Sequence, residues 1–101
     1  MLYCTQLISF KEGQEESFEQ FESIAIPLIS KYNGRLLLRL RPKEDDVIES
    51  AIETPYEIHL VAFDTEQDFV NFMNDDERQR FLNLKERSIS SSVLIKGIKF
   101  Q

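Results

Sequence analysis

The stretch YEIHLVAF, Tyr56 to Phe63, holds the single histidine of the chain, His59, two positions after an acid, Glu57. Histidine is the side chain whose unperturbed pKa lies closest to neutrality, so His59 beside Glu57 is the simplest acid–base pair a small domain can carry. A second stretch, RLLLRLRP, alternates leucines with Arg35, Arg39 and Arg41 at the spacing of a β-strand. Guanidinium groups grip carboxylates and phosphates at two points, so such a strand suits an anionic ligand, or it pairs with Glu57 and other acids. Arg39, Glu57 and His59 are therefore the candidate ligand-binding residues, with His59 the candidate catalytic acid or base. The competing reading makes His59 an interface residue satisfied by hydrogen bonds.

Other reactive side chains offer less. Cys4 is the one cysteine, which excludes an internal disulfide and any zinc site built on several thiolates, and a cysteine on a strand is usually a small buried hydrophobe. One histidine and scattered acids show no metal-ligand spacing, and EDD (44–46) or NDDE (74–77) reads as a solvated turn or helix start, so no metal is expected. The three glycines stand apart, without a phosphate-binding loop, and no cofactor is expected. Tyr3, Tyr32 and Tyr56 read as packing residues with wet hydroxyls.

These residues need elements to hold them. Leu2 to Phe10 reads as a first strand. From about Gln14 to Tyr32 the apolar residues Phe18, Phe21, Ala25, Leu28 and Tyr32 recur at helical steps, while Glu15, Glu19 and Glu22 fall largely on the other side. Pro27 predicts a kink near Ser23 to Pro27 in this helix, and Asn33-Gly34 its left-handed end. Gly34 to Arg41 is a second strand, the acidic stretch from Pro42 to Pro55 a long connection, and Tyr56 to Phe63 a third strand. A helix around Phe69, Phe72 and Met73, interrupted at NDDE, continues through Phe81, Leu82 and Leu84; Asp64 with Gln67 and Asp76 with Gln79 have capping spacing. Ser91 to Ile98 closes the chain as a fourth strand.

The order β, α, β, β, α, β, with right-handed crossovers, predicts an α+β ferredoxin-like domain. Its four-stranded antiparallel sheet would run in the order 4-1-3-2 with the helices on one face. The whole chain, 101 residues, is one domain. Placing Leu40 opposite Tyr56 sets Leu38 against Ile58 and Leu36 against Leu60, on the face expected to take the helices. Arg39 then lies opposite Glu57 and Leu37 opposite His59. This second face, too apolar for solvent and too charged for core, is expected to pack against a second copy of the chain in a closed dimer.

Several features resemble a known family, the small bacterial DUF1330 proteins within the dimeric α/β-barrel superfamily. They are PLISKYNGRLL (Pro27 to Leu37), Glu53 and Pro55 before the third strand, Phe63 closing it, and the aromatic second helix running into NDDERQRF. The family often has Gly-Gly in place of Asn33-Gly34 and Pro-Glu-Tyr in place of Asp76-Glu77-Arg78. The resemblance implies a homodimer with facing sheets, and a superfamily that includes cofactor-free monooxygenases and haem-degrading enzymes. The chain contains no tryptophan, which sets it apart from the haem-degrading members.

Eighteen acidic and twelve basic residues give a net charge of −6, a field that a nucleic acid would have to approach against. An RNA-recognition module would carry aromatics on its first and third strands with basic flanks, a pattern YEIHLVAF lacks. No stretch approaches a membrane span and the N-terminus lacks a leader pattern, so a cytoplasmic protein without nucleic-acid or membrane partners is expected. Two functions remain: a homodimer that binds or transforms a small molecule in a cavity between sheet and helices, or a non-enzymatic interaction or ligand-sensing dimer.

Overall fold

The computed structural model describes residues 1–99. Its elements are β1 (Leu2–Phe10), α1 (Glu15–Leu28), β2 (Gly34–Leu40), β3 (Glu57–Phe63), α2 (Glu66–Met73), α3 (Asp76–Arg80), α4 (Leu82–Ser88) and β4 (Ile89–Ile98). The strands form one sheet in the order β2-β3-β1-β4, every pair antiparallel. With the helices on one face, this is the ferredoxin-like arrangement expected. Among the described residues no helix is long and apolar enough to cross a membrane.

Local chemistry sets the helix ends. Pro27 falls one residue before the end of α1, where the ladder tightens: Ile29 N–H donates to Ile26 O, and a 3-10 turn follows at Ser30–Tyr32. The helix thus ends at Leu28, one residue past Pro27. Asn33 takes the left-handed conformation at φ 58°, as its short polar side chain tolerates. The later caps lie one residue away from the expected pairs. Thr65 accepts from Asp68 N–H while the Asp68 carboxylate returns to Thr65 N–H, and Asp75 accepts from Arg78 N–H.

Gly34 follows at the start of β2 for a steric reason. A Cβ there would lie 2.7 Å from Ile29 Cγ2 and 2.7 Å from Phe63 Cε1, inside van der Waals contact. Gly34→Ala is expected to destabilise the protein by about 1–3 kcal/mol, the usual cost of overpacking. A lowered urea midpoint at unchanged slope would show this, and an unchanged midpoint would contradict the packing described.

The sheet corrects the expected register and faces. Leu40 pairs with Ile58, Arg39 with His59, Leu38 with Leu60 and Leu36 with Val61, the register shifting between Leu36 and Leu38. Leu37 is thus an extra residue, a bulge that reverses the phase of the strand. Leu36 packs inward against Val61 and Phe63, whereas Leu38 and Leu40 point to the open side with Ile58 and Leu60. The face beneath the helices carries Glu57, His59, Val61 and Phe63 from β3 and Leu2, Cys4 and Ile8 from β1. The face expected to meet a partner is therefore the covered one, and the leucine face expected to take the helices is open. The three arginines also part: Arg35 approaches Asp64, while Arg39 and Arg41 turn to Glu57.

Two hydrophobic clusters form, one between sheet and helices and one among the helices. Leu2, Cys4, Ile29, Val61 and Phe63, with Phe69 and Phe72 against them, make one; Phe21, Ala25 and Leu84, with Phe81, make the other.

Candidate functional site

Between these clusters lies a cavity of about 130 Å³. Its walls are mostly apolar, with Phe21, Ala25, Val61 and Phe72 among them, and Glu22, His59, Arg78 and Lys85 add charge or proton chemistry. Residues of β1, α1, β3, all three later helices and β4 contribute, so no one segment of sequence describes the space.

The expected trio does meet, but with a different geometry. Glu57 is 0% exposed; its Oε1 receives Arg39 Nε at 3.1 Å and Arg41 Nε at 3.0 Å, and its Oε2 lies 2.5 Å from His59 Nε2. Arg41 also binds Glu19, and its guanidinium lies over the Tyr56 ring, 4.9 Å from the centroid. Burial pushes the Glu57 carboxyl up, but the hydrogen bonds from His59, Arg39 and Arg41 outweigh it and hold the group at about 2. Glu57 is thus a fixed anion that orients His59. Of the trio only His59 lines the cavity; Glu57 stands behind it, and Arg39 and Arg41 open on a shallow surface hollow with Leu40.

Glu22 was not legible as a site residue, since its place among the acids of α1 suggested solvent. It is buried, because it lies one turn after Phe18 and one turn before Ala25 on the inward stripe. Its Oε2 is 3.9 Å from His59 Nε2. Burial pushes its carboxyl up, with the positive field of His59 opposing and the Glu57 charge adding to the rise. A carboxyl that burial pushes up therefore faces an imidazole held by an ionised one, an arrangement in which environments push two carboxyls apart.

Because burial disfavours the charged form of Glu22, the sign of its pH effect is opposite to that of Glu57. A raised folded pKa contributes stability while the group is protonated, and that contribution is lost as pH rises through the folded value. Glu22→Gln is therefore expected to raise the melting temperature by several degrees at pH 8 and to change it little at pH 4. Equal effects at both pH values would contradict the assignment.

Glu22, Glu57 and His59 each offer one ligand atom, all within 4.8 Å of one another, a grouping that sequence spacing did not show. A divalent ion there would have to break the His59–Glu57 bond and would lie beside two guanidinium groups that already neutralise Glu57. The geometry suits a hydrogen-bonded acid–base group better than a metal centre.

The remaining candidates are structural. Tyr32 O–H donates to Asp75 Oδ2 at 2.5 Å and Lys31 Nζ lies 3.2 Å from the same oxygen. The Tyr32 bond, with the Arg78 N–H, holds Asp75 at about 2. Tyr56 packs edge-on against Phe10 and Phe18. Cys4 lines the cavity, and burial pushes its thiol up, away from the reactive thiolate.

No family model matches the chain, and no curated protein does. Solved structures do. A protein of unknown function from Rhodopseudomonas palustris superposes with a TM-score of 0.84 at 11% identity, over 99% of this chain and 82% of that one. A dabb, or dimeric α/β-barrel, family protein with a ferredoxin-like fold from Mesorhizobium loti superposes with a TM-score of 0.69 at 12% identity, over 99% and 97%. The shared fold is ferredoxin-like. A Nitrosomonas europaea protein provisionally described as an antibiotic biosynthesis monooxygenase superposes with a TM-score of 0.73 at 12% identity over the whole of both chains. At these identities the likeness is one of fold.

Proposed function

We propose that the chain is a DUF1330-like, cytoplasmic homodimer that binds a small molecule in the cavity between its sheet and helices. Glu22 and His59 supply the proton chemistry of the site. The cavity carries this reading: it is walled mainly by apolar residues and entered by a few polar groups, the usual character of a small-molecule site. The monooxygenase description of the Nitrosomonas europaea protein is compatible with chemistry in such a space.

The dimer rests on the open face of the sheet. Leu38 and Leu40, 45% and 37% exposed, stand there with Val93 and Ile95, flanked by the half-buried Ile58 and Leu60. Such a face on an antiparallel sheet is covered most simply by the same face of a second copy. This reverses the sequence expectation, which put Arg39 and Glu57 at the interface.

The test is a thermal-shift screen of small organic molecules against the protein and its Leu94→Trp variant. Leu94 lines the cavity from the edge strand and is 43% exposed, so a larger side chain narrows the space without disturbing buried packing. Ligands that stabilise the protein and lose their effect on the variant support the reading. Ligands equally effective on both would place binding elsewhere.

A further inference from the structure

We propose that the ligand of this cavity is a small carboxylate with an apolar body, its acid group bound by the Arg78 guanidinium and its body packed among Phe21, Val61 and Phe72. The inference deepens the cavity-binding function proposed above and rests on it.

Arg78 is a cavity-lining residue, 6% exposed, although it comes from a helix whose sequence reads as charged surface. Its guanidinium lies over two rings, 5.3 Å from the Phe72 centroid and 5.8 Å from that of Phe21. Nη1 donates to Met73 O at 3.2 Å. Nε is buried, and among the described residues no group accepts from it. A buried donor on a charged group without an acceptor is costly, and native proteins rarely leave one without a purpose.

The neighbouring acids do not fill that role. Asp75 spends Oδ1 on the backbone N–H of Arg78 and Oδ2 on Tyr32 and Lys31. Glu22 is the one acid on the cavity wall, and burial favours its neutral form. Two cations, Arg78 and Lys85, share that wall, and the Arg78 charge disfavours that of Lys85. The wall thus carries two cations to one acid, a balance that suits an anionic ligand.

Shape and surroundings narrow the class. A guanidinium pairs with the plane of a carboxylate at two points, and this one lies over two aromatic rings. The apolar walls would leave a bare phosphate or sulfate largely unsolvated, whereas they favour a hydrocarbon body. A cavity of about 130 Å³ is close to the size that accepts a benzene-sized molecule, so the body is roughly a single ring or a short branched chain.

The experiment compares acids with their neutral amides, isovalerate against isovaleramide and benzoate against benzamide, by calorimetry on the intact protein and on Arg78→Gln. The acids are expected to bind about tenfold to a hundredfold more tightly than the amides, the factor for a hydrogen bond to a charged group, and Arg78→Gln is expected to abolish the preference. Acid and amide binding equally would overturn the carboxylate assignment while leaving the cavity function standing. A preference that survives in Arg78→Gln would overturn the role of Arg78. If no probe binds the intact protein, both this inference and the cavity function fail. Should Arg78→Gln not fold, the acid-to-amide ratio in the intact protein, lost in Leu94→Trp, decides the matter.

Discussion

Replacing Arg39 and Arg41 together by alanine is expected to cost about 3–5 kcal/mol, and replacing either alone about 1 kcal/mol or less. The asymmetry follows from Glu57, which is fully buried and shares one oxygen between the two guanidinium groups. Their side chains are a third to nearly half exposed, so each pair is screened by water, and losing one leaves the other at about 3 Å. Losing both leaves a buried carboxylate with His59 as its remaining partner, an uncompensated charge. The pH dependence should change with it. In the intact protein Glu57 sits at about 2, so its contribution is present above the ordinary carboxylate value and is lost as pH falls from there toward 2. Without the arginines burial acts with less opposition, and the variant should lose most stability at neutral pH. Urea unfolding of both single variants and the double, from pH 3 to pH 8, checks this as a double-mutant cycle. Additive losses would contradict the shared oxygen.

Leu38→Glu is expected to raise the dissociation constant of the proposed dimer by at least about a hundredfold, because a charge placed in an apolar interface is buried without a partner. The monomer should fold nearly as well as before, since Leu38 is already 45% exposed within it. Sedimentation at several concentrations reads the first effect and thermal unfolding the second. Arg39→Ala, on the covered face, should leave the dimer intact. The opposite pattern, with Arg39→Ala dissociating the protein and Leu38→Glu harmless, would restore the arginine face as the interface.

The path of the chain was legible because each element carries a strong local signal. Strand alternation, the helical spacing of Phe18, Phe21 and Ala25, and the Asn33-Gly34 stop gave element order, and element order gave the strand order β2-β3-β1-β4. The sidedness of the sheet was not legible, for two reasons. YEIHLVAF is apolar on both faces, so alternation cannot say which is covered. The bulge at Leu37 then exchanges the faces of the strand beside it, and nothing in three consecutive leucines marks which one is extra. The meeting of Arg39, Glu57 and His59 was predicted from that stretch, but on the wrong side of the sheet, since all three lie on the face beneath the helices. Glu22 and Arg78 escaped because both stand in acidic, polar runs, and their burial depends on how α1 and α3 pack on each other and on the sheet.

Ligand binding beneath the helices requires a true cavity there rather than a packing gap that closes. A crystal of the protein held under xenon pressure tests this without knowledge of the ligand, because xenon enters apolar cavities of this size. The predicted result is a xenon peak bounded by Phe21, Val61 and Phe72, near the Arg78 and His59 end. A crystal in which Phe69 or Phe72 fills the space, with no xenon between sheet and helices, would contradict it.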